Sequence, residues 1–316
     1  MLALLEWKRL ALVSAAAIAG LAVVPFFAGS YLLHVVTLGL YYTILAASWN
    51  LLAGFTGQFS LAQQAFSAVG AYTTGLLIYH YQTPLWLSMP AGVVVAGAFG
   101  YGLGRLVLEM RAIYLAIATW AFAETIHVLL AADFKFTRGE LGLNVPPLYH
   151  QAPPGAYYWT FAAAAFLSVL AMYLLVRSRL GYFMRAIKDD ELRAQSLGVD
   201  TTQVKVLVFT LSSAFAGLAG VLYAHYVLIL SPQMVDFGEM AKLIVMVVVG
   251  GLGTFAGPLI GALPIETLSV YLQKYGEWDM VIYALVVIVV MRSYMGGLAA
   301  LAADLWRYLR PREANP

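Results

Sequence analysis

Apolar residues occur in long unbroken runs along this chain, separated by glycine, proline or charged residues. Most runs approach the ~20 residues that a helix needs to cross a bilayer, and they do not alternate as barrel strands do. The pattern therefore predicts an all-α, polytopic transmembrane helical bundle of about ten spans (eight to ten), formed by residues 1–316 as a single transmembrane domain. The predicted spans are 10–28, 31–53, 60–80, 84–106, 112–132, 157–176, 203–228, 239–252, 257–273 and 279–298.

Composition supports a membrane protein. Hydrophobic residues make up 62% of the 316 residues and charged residues only 11%, too few for the charged surface of a soluble domain. A net charge of +2 gives no basic surface for nucleic acid. With no cysteine, disulfides, cysteine–zinc sites and thiol catalysis are excluded.

The basic residues predict an orientation. In a ten-span arrangement 13 of the 18 lie on one side, which the positive-inside rule assigns to the cytoplasm together with both termini. Lys8 and Arg9 precede the first run, which we interpret as a retained helix rather than a signal peptide. Lys242 and Arg292 fall near predicted helix ends, where long side chains can reach the interface.

Two connecting segments are unusually long. Residues 133–156 form a predicted external loop whose two proline pairs favour extended or turn-rich structure. Residues 177–202 form a predicted cytoplasmic loop with the densest charge in the chain. Within it, Asp189 or Asp190 is a suitable N-cap for a short amphipathic helix that ends at Gly198.

Two chargeless, glycine-rich stretches interrupt the apolar runs. The first is "NLLAGFTGQFSLAQQAF" from Asn50, and the second is "GGLGTFAGPLIGALP" from Gly250. Such breaks point towards a solute pathway in transporters, although close helix packing explains small residues at four-residue spacing equally directly. The polar and glycine residues predicted to line a path are Asn50, Gly54, Thr56, Gly57, Gln58, Ser60, Gln63, Gln64, Glu124, Gly250, Gly251 and Gly253.

Glu124 is an ionisable residue within a predicted span and shares a helix face with His127. Polar groups at membrane depth suggest function, but hydrogen bonding to a neighbouring helix is an equal alternative.

Several segments, in order, resemble the permeases of bacterial branched-chain amino-acid ABC transporters. They are "SWNLLAGFTGQFSLAQQAFSAVGAYT", "MRAIYLAIATWAFAETI", "GYFMRAIKDDELRAQSLGV", "FTLSSAFAGLAGVLYAH" and "VVVGGLGTFAGPLIGA". They are spread from about Trp49 to Ala262, a span of about two thirds of the chain, and "MRAIYLAI" is closer to the LivM-type than to the LivH-type subunit.

The resemblance implies a heterodimer with a LivH-type permease, two cytoplasmic ATP-binding subunits and a periplasmic solute-binding protein, in a bacterial inner membrane. ATP and Mg would be used by the ATPases, and no cofactor is expected on this chain, which has no G-x-x-x-x-G-K-S/T phosphate loop. The coupling residues implied are Arg185, Asp189, Asp190, Glu191, Arg193 and Gly198. The segment departs from the Glu-Ala-Ala-x-x-x-Gly loop of other ABC importers, because Glu191 stands seven residues before Gly198.

The expected function is thus ATP-driven import of a small polar solute, most simply a branched-chain or other amino acid. Urea, short amides and aromatic acids are the alternatives within the same family. An integral-membrane enzyme is the rival class, but neither H-E-x-x-H nor G-x-S-x-G is present. A passive channel is the third possibility, and it would not need a cytoplasmic docking helix.

Overall fold

A computed structural model of the chain describes residues 29–108, 112–149 and 154–272, together with residues 25, 110, 281, 282, 285, 292, 297 and 298. The helices in these ranges are α1 (Ser30–Ala53), α2 (Gln63–Tyr81), α3 (Leu85–Val107), α4 (Ala112–Ala132), α5 (Pro154–Arg177), α6 (Arg179–Asp189), α7 (Glu191–Ser196), α8 (Thr201–Val227), α9 (Phe237–Gly250) and α10 (Gly257–Leu272). Two short 3₁₀ turns, Gly139–Leu141 and Pro232–Val235, complete the helical elements.

The helices follow the predicted spans closely. All eight predicted spans from 31–53 to 257–273 correspond to a helix whose ends differ from the prediction by at most three residues. The predicted spans 10–28 and 279–298 lie outside the continuously described residues. Among the described residues, five helices, α1, α3, α4, α5 and α8, are long and apolar enough to cross a membrane. The chain is therefore an all-α helical membrane protein.

Helix α8 packs against α2 and α3 through glycines. A methyl group on Gly70 of α2 would lie 2.5 Å from the carbonyl oxygen of Gly217, and one on Gly220 would overlap the backbone of Ser67. On the other side, the place of a side chain at Gly100 of α3 is taken by Ser213. Small residues let these backbones approach closely, which is how helices associate in lipid.

A two-stranded antiparallel ladder connects the segment after α4 to the segment after α8. Strand β1 (Leu143–Asn144) pairs with β2 (Ile229–Leu230), and Leu143 faces Leu230. The ring Nδ1 of His225 lies 2.8 Å from the carbonyl oxygen of Pro146. Residues 133–149 are thus turn-rich, as the prolines predicted, and part of the segment is buried against the bundle.

The segment 177–202 contains two helices rather than the single short one predicted. Helix α6 was not predicted, and α7 lies where the single short helix was expected. The reason is local: the side chain of Ser178 accepts a hydrogen bond from the amide of Leu180, and Met184 and Ile187 bury one helix face. The Met184–Ile187 spacing was the available signal, and the surrounding charges obscured it.

Candidate functional site

The two glycine-rich breaks meet in space. Asn50, in the last turn of α1, donates from Nδ2 to the carbonyl oxygen of Thr254 at 2.8 Å. Its Oδ1 accepts a hydrogen bond from the amide of Gly253 at 2.7 Å. A single buried amide therefore holds the turn between α9 and α10 against the end of α1.

Glycines make this contact possible. A methyl group on Gly54 would overlap Oδ1 of Asn50 and lie 2.7 Å from the amide nitrogen of Gly253. Gly251 and Gly253 have φ values of +121° and +78°, which side chains rarely adopt. We call the contact formed by Asn50, Gly54, Gly253 and Thr254 the glycine junction.

The α9–α10 pair explains the remaining glycines of the second break. A methyl group on Gly250 would overlap the carbonyl of Gly257, and one on Gly261 would overlap that of Met246. These positions therefore serve close helix packing, the alternative that the four-residue spacing had left open.

The glycine junction borders a pocket of about 520 Å³ against α5 and α6. It is lined by Phe55, Phe255 and Tyr173, and by basic side chains from α6. One of them, Lys188, donates from Nζ to the carbonyl oxygen of Gly54 at 2.6 Å.

Several predicted path residues bond to neighbouring helices. Gln63 donates from Nε2 to Oγ of Ser48 on α1 and of Ser212 on α8, at 2.5 and 3.1 Å. Gln64 donates to the carbonyl oxygen of Glu239 at 3.3 Å. These amides are buried inside this subunit, where they connect α2 to α1, α8 and α9.

Thr56 and Ser60 are also buried within the connection between α1 and α2. Thr56 donates to the carbonyl oxygen of Leu51 at 3.1 Å. Ser60 accepts a hydrogen bond from the amide of Ala62, and its carbonyl accepts one from the indole of Trp49 at 2.7 Å. Both residues stabilise the irregular backbone between two helices.

Gln58 differs from its neighbours. It is buried, yet neither Nε2 nor Oε1 has a hydrogen-bond partner among the residues that the structure describes. Oε1 of Gln63 is in the same condition. Buried polar groups normally have hydrogen-bond partners. The amide of Gln58 and Oε1 of Gln63 thus have bonding capacity that the described residues do not use. Their part in a solute path, like that of Gly57, stays a prediction.

Glu124 lies apart from the glycine junction, on the outer face of α4. Only 17% of the apolar window of α4 is buried. Glu124 lines a pocket of about 500 Å³ with Trp120, Thr125 and apolar neighbours. The predicted His127 pair is present, with Nδ1 at 3.8 Å from the Glu124 carboxylate, and Nε2 lies 3.6 Å from Asp236.

A buried ionic network was missed by sequence reasoning. Lys242 is 6% exposed and its ammonium lies 2.8 Å from Glu239 and 3.6 Å from Glu266, over the ring of Tyr42 at 4.3 Å. Tyr42 also bonds Glu239. The prediction that Lys242 reaches the membrane interface is therefore wrong. The three-residue spacing of Glu239 and Lys242 was the signal, because it places both groups on one helix face.

The predicted coupling residues divide into two groups. Asp190 ends α6 and caps α7, accepting a hydrogen bond from the amide of Arg193 at 3.0 Å. Glu191 lies 2.5 Å from the buried ammonium of Lys205, so it anchors α7 to α8. Leu192 and Leu197 point outward with 76% and 80% of their surface exposed.

The other members of the set flank this segment. Arg185 donates to the carbonyl oxygen of Val176 at 3.0 Å, and Asp189 lines the pocket beside the glycine junction. Gly198 has φ +84° with open space around it, which allows the chain to turn into α8.

Comparison with known proteins gives the family. Residues 31–291 match the protein family described as "Branched-chain amino acid transport system / permease component". The permease LivM of Salmonella typhimurium is 29% identical over 84% of this chain and 69% of its own length. LivH of Escherichia coli is 26% identical over 81% and 90%, and the fructose import permease FrcC of Rhizobium meliloti is 23% identical over 79% and 71%. No solved structure matches the chain. The chain belongs to the family of branched-chain amino-acid transport system permease components.

Proposed function

We propose that this chain is the LivM-type permease subunit of an ABC importer for branched-chain or other amino acids. The family match over residues 31–291 supports the permease role. The observation that carries the mechanism is the α6–α7 segment, in which α6 contacts the glycine junction through Lys188 and α7 exposes Leu192 and Leu197 to solvent. A motor protein would dock there. The chain is a multi-pass inner-membrane protein.

Its partners would be a LivH-type permease, two ATP-binding subunits and a solute-binding protein. The similarity to both LivM and LivH supports a heterodimer of related permeases. ATP and Mg would be bound by the ATPases, and this chain would catalyse no reaction. Co-purification from cells that express all the subunits tests the assembly. Recovery of this chain without an ATPase would count against it.

The orientation follows the distribution of basic residues. In this topology both termini, α6 and α7 face the cytoplasm, and residues 133–156 lie outside. A reporter fusion at Pro316 tests it. Activity of a reporter that works only outside the cytoplasm would overturn the topology.

The exposed face of α4 is the best candidate for the path between two permeases. Glu124 is 57% exposed in a single subunit, and a carboxylate facing lipid is unfavourable. A paired permease would cover this face and enclose the pocket around Glu124. The carboxylate could then attract the ammonium group of an amino acid.

Uptake by Glu124→Gln tests this role of the α4 face. Glu140→Gln is the matched control, because Glu140 is exposed in the external segment. We expect the first variant to lower uptake and the second to leave it unchanged. Equal uptake by both would remove Glu124 from the path.

The solute class can be identified on the cognate solute-binding protein. The relative FrcC is named for fructose import, so proteins similar to this chain are not restricted to one solute class. Urea, short amides and aromatic acids stay alternatives. A ligand screen on the cognate solute-binding protein, by shift of its melting temperature, identifies the class.

A further inference from the structure

Lys188 contacts the end of α1 from the last turn of α6. Its Nζ lies 2.6 Å from the carbonyl oxygen of Gly54, which caps α1. Carbonyls at a helix C-terminus lack partners within the helix and carry the negative end of its dipole. An ammonium group is therefore a favourable partner at this position.

The same side chain also touches both glycine breaks. A methyl group on Gly253 would lie 3.7 Å from Nζ of Lys188 and 3.1 Å from the carbonyl oxygen of Gly54. One on Gly57 would lie 3.4 Å from Cγ of Lys188. Glycine has no side chain that could shift and absorb a movement of its neighbour. A displacement of Lys188 would therefore act directly on the backbone of both breaks.

Lys188 is connected to the exposed surface of α7 by a short, structured link. Asp190 is the last cap of α6 and the first cap of α7, so only one residue separates the two helices. Leu192 lies four residues from Lys188. A displacement of α7 would therefore carry Lys188 with it.

Asn50 extends the connection beyond Gly54. Its two hydrogen bonds join the end of α1 to Gly253 and Thr254, between α9 and α10. The pair Lys205–Glu191 holds α7 at a different place, against α8. The Lys188 contact, by contrast, leads from the α6–α7 segment to both glycine breaks.

We propose that Lys188 is the positioning residue through which movement of α6 and α7 reaches the glycine junction. This inference rests on the proposed function, in which an ATPase docks on α7. The end of α1 and the turn between α9 and α10 then move together, because the ammonium group of Lys188 and the side-chain amide of Asn50 connect them.

Hydrogen exchange on the isolated permease tests the structural half of the proposal without any ATPase. Loss of the Lys188 bond in Lys188→Met should speed exchange of the amides of residues 251–256 by about tenfold. Lys188→Arg should restore slow exchange because it keeps a donor. Arg179→Gln is the matched control, since it removes an exposed positive charge from the first turn of the same helix.

Unchanged exchange in Lys188→Met would overturn the inference. The melting temperature of each variant shows whether the variant is folded. If Lys188→Met fails to fold, Lys188→Gln serves as the second variant, because a shorter neutral amide would still weaken the contact.

Transport coupling tests the functional half. In the assembled importer, Lys188→Met should still hold its ATPases and hydrolyse ATP, but import several-fold less solute per ATP. Lys188→Arg and Arg179→Gln should keep the wild-type ratio. A wild-type ratio in Lys188→Met would refute the inference. Failure of the wild-type chain to bind any ATPase would instead refute the proposed function.

Discussion

The Oδ1 atom of Asn50 accepts a hydrogen bond from the amide of Gly253 at 2.7 Å, across 203 positions of sequence. This bond joins the end of one membrane helix to the turn between two others. It gives the chargeless breaks a common location beside α6.

Replacing Asn50 by leucine should destabilise the protein. The substitution leaves the part-buried Gly253 amide and Thr254 carbonyl without their partner, and an unsatisfied group costs up to about 1–3 kcal/mol where it is shielded from water. Thermal unfolding in detergent measures the effect. A melting temperature equal to that of the wild type would show that the two bonds contribute nothing.

A methyl group at Gly54 should be harmful where one at Gly102 is not. Gly54→Ala would force Cβ against Asn50 and Gly253, and overpacking of this kind costs about 1–3 kcal/mol. Gly102 lies in α3 with nothing within 4 Å of an added Cβ, so Gly102→Ala should be neutral or stabilising. Equal melting temperatures for the two variants would contradict the packing described for the junction.

The buried ionic network should tolerate loss of Lys242 poorly. Lys242→Met leaves the buried Glu266 and the half-buried Glu239 without their ammonium partner, and breaking a fully buried pair costs up to about 3–5 kcal/mol. Lys135→Met, in the exposed segment after α4, is the matched control and should change stability little. If both variants unfold at the same temperature, the network does not stabilise the bundle.

The helix pattern could be predicted from sequence because lipid imposes it. Each spanning helix needs a long apolar run, so the run boundaries reproduce α1 to α5 and α8 to α10 within three residues. Helix α6 could not be found in the same way. Its stability depends on Met184 and Ile187 packing against the bundle, and a charged segment hides that spacing.

For the glycine junction, the sequence indicated which residues are unusual but not how they contact one another. Sequence identified Asn50, Gly54 and Gly253 as unusual, but the bonds between them depend on backbone positions some 200 residues apart. It also assigned Lys242 to the interface, because nothing local indicates that Glu266 of another helix lies within 3.6 Å. Long-range pairing of polar groups inside the bundle was therefore beyond sequence reasoning.

The exposed leucines of α7 should bind the motor. Replacing both Leu192 and Leu197 by serine removes apolar surface worth about 1.5–3 kcal/mol each when buried, so ATPase binding should weaken by at least about 100-fold. The fold should be unaffected, because both side chains face solvent. Leu141→Ser, which is 72% exposed in the external segment, is the control. Undiminished ATPase co-purification with the double variant would place the docking surface elsewhere.

ATP-driven uptake is the most direct test of the central claim that this chain is an importer permease. The measurement uses radiolabelled leucine and proteoliposomes that contain this chain, its paired permease, the ATPases and the solute-binding protein. The account predicts accumulation of leucine against its gradient only when ATP is supplied and this chain is present. Equilibration of leucine without ATP, or full accumulation in vesicles that lack this chain, would contradict it.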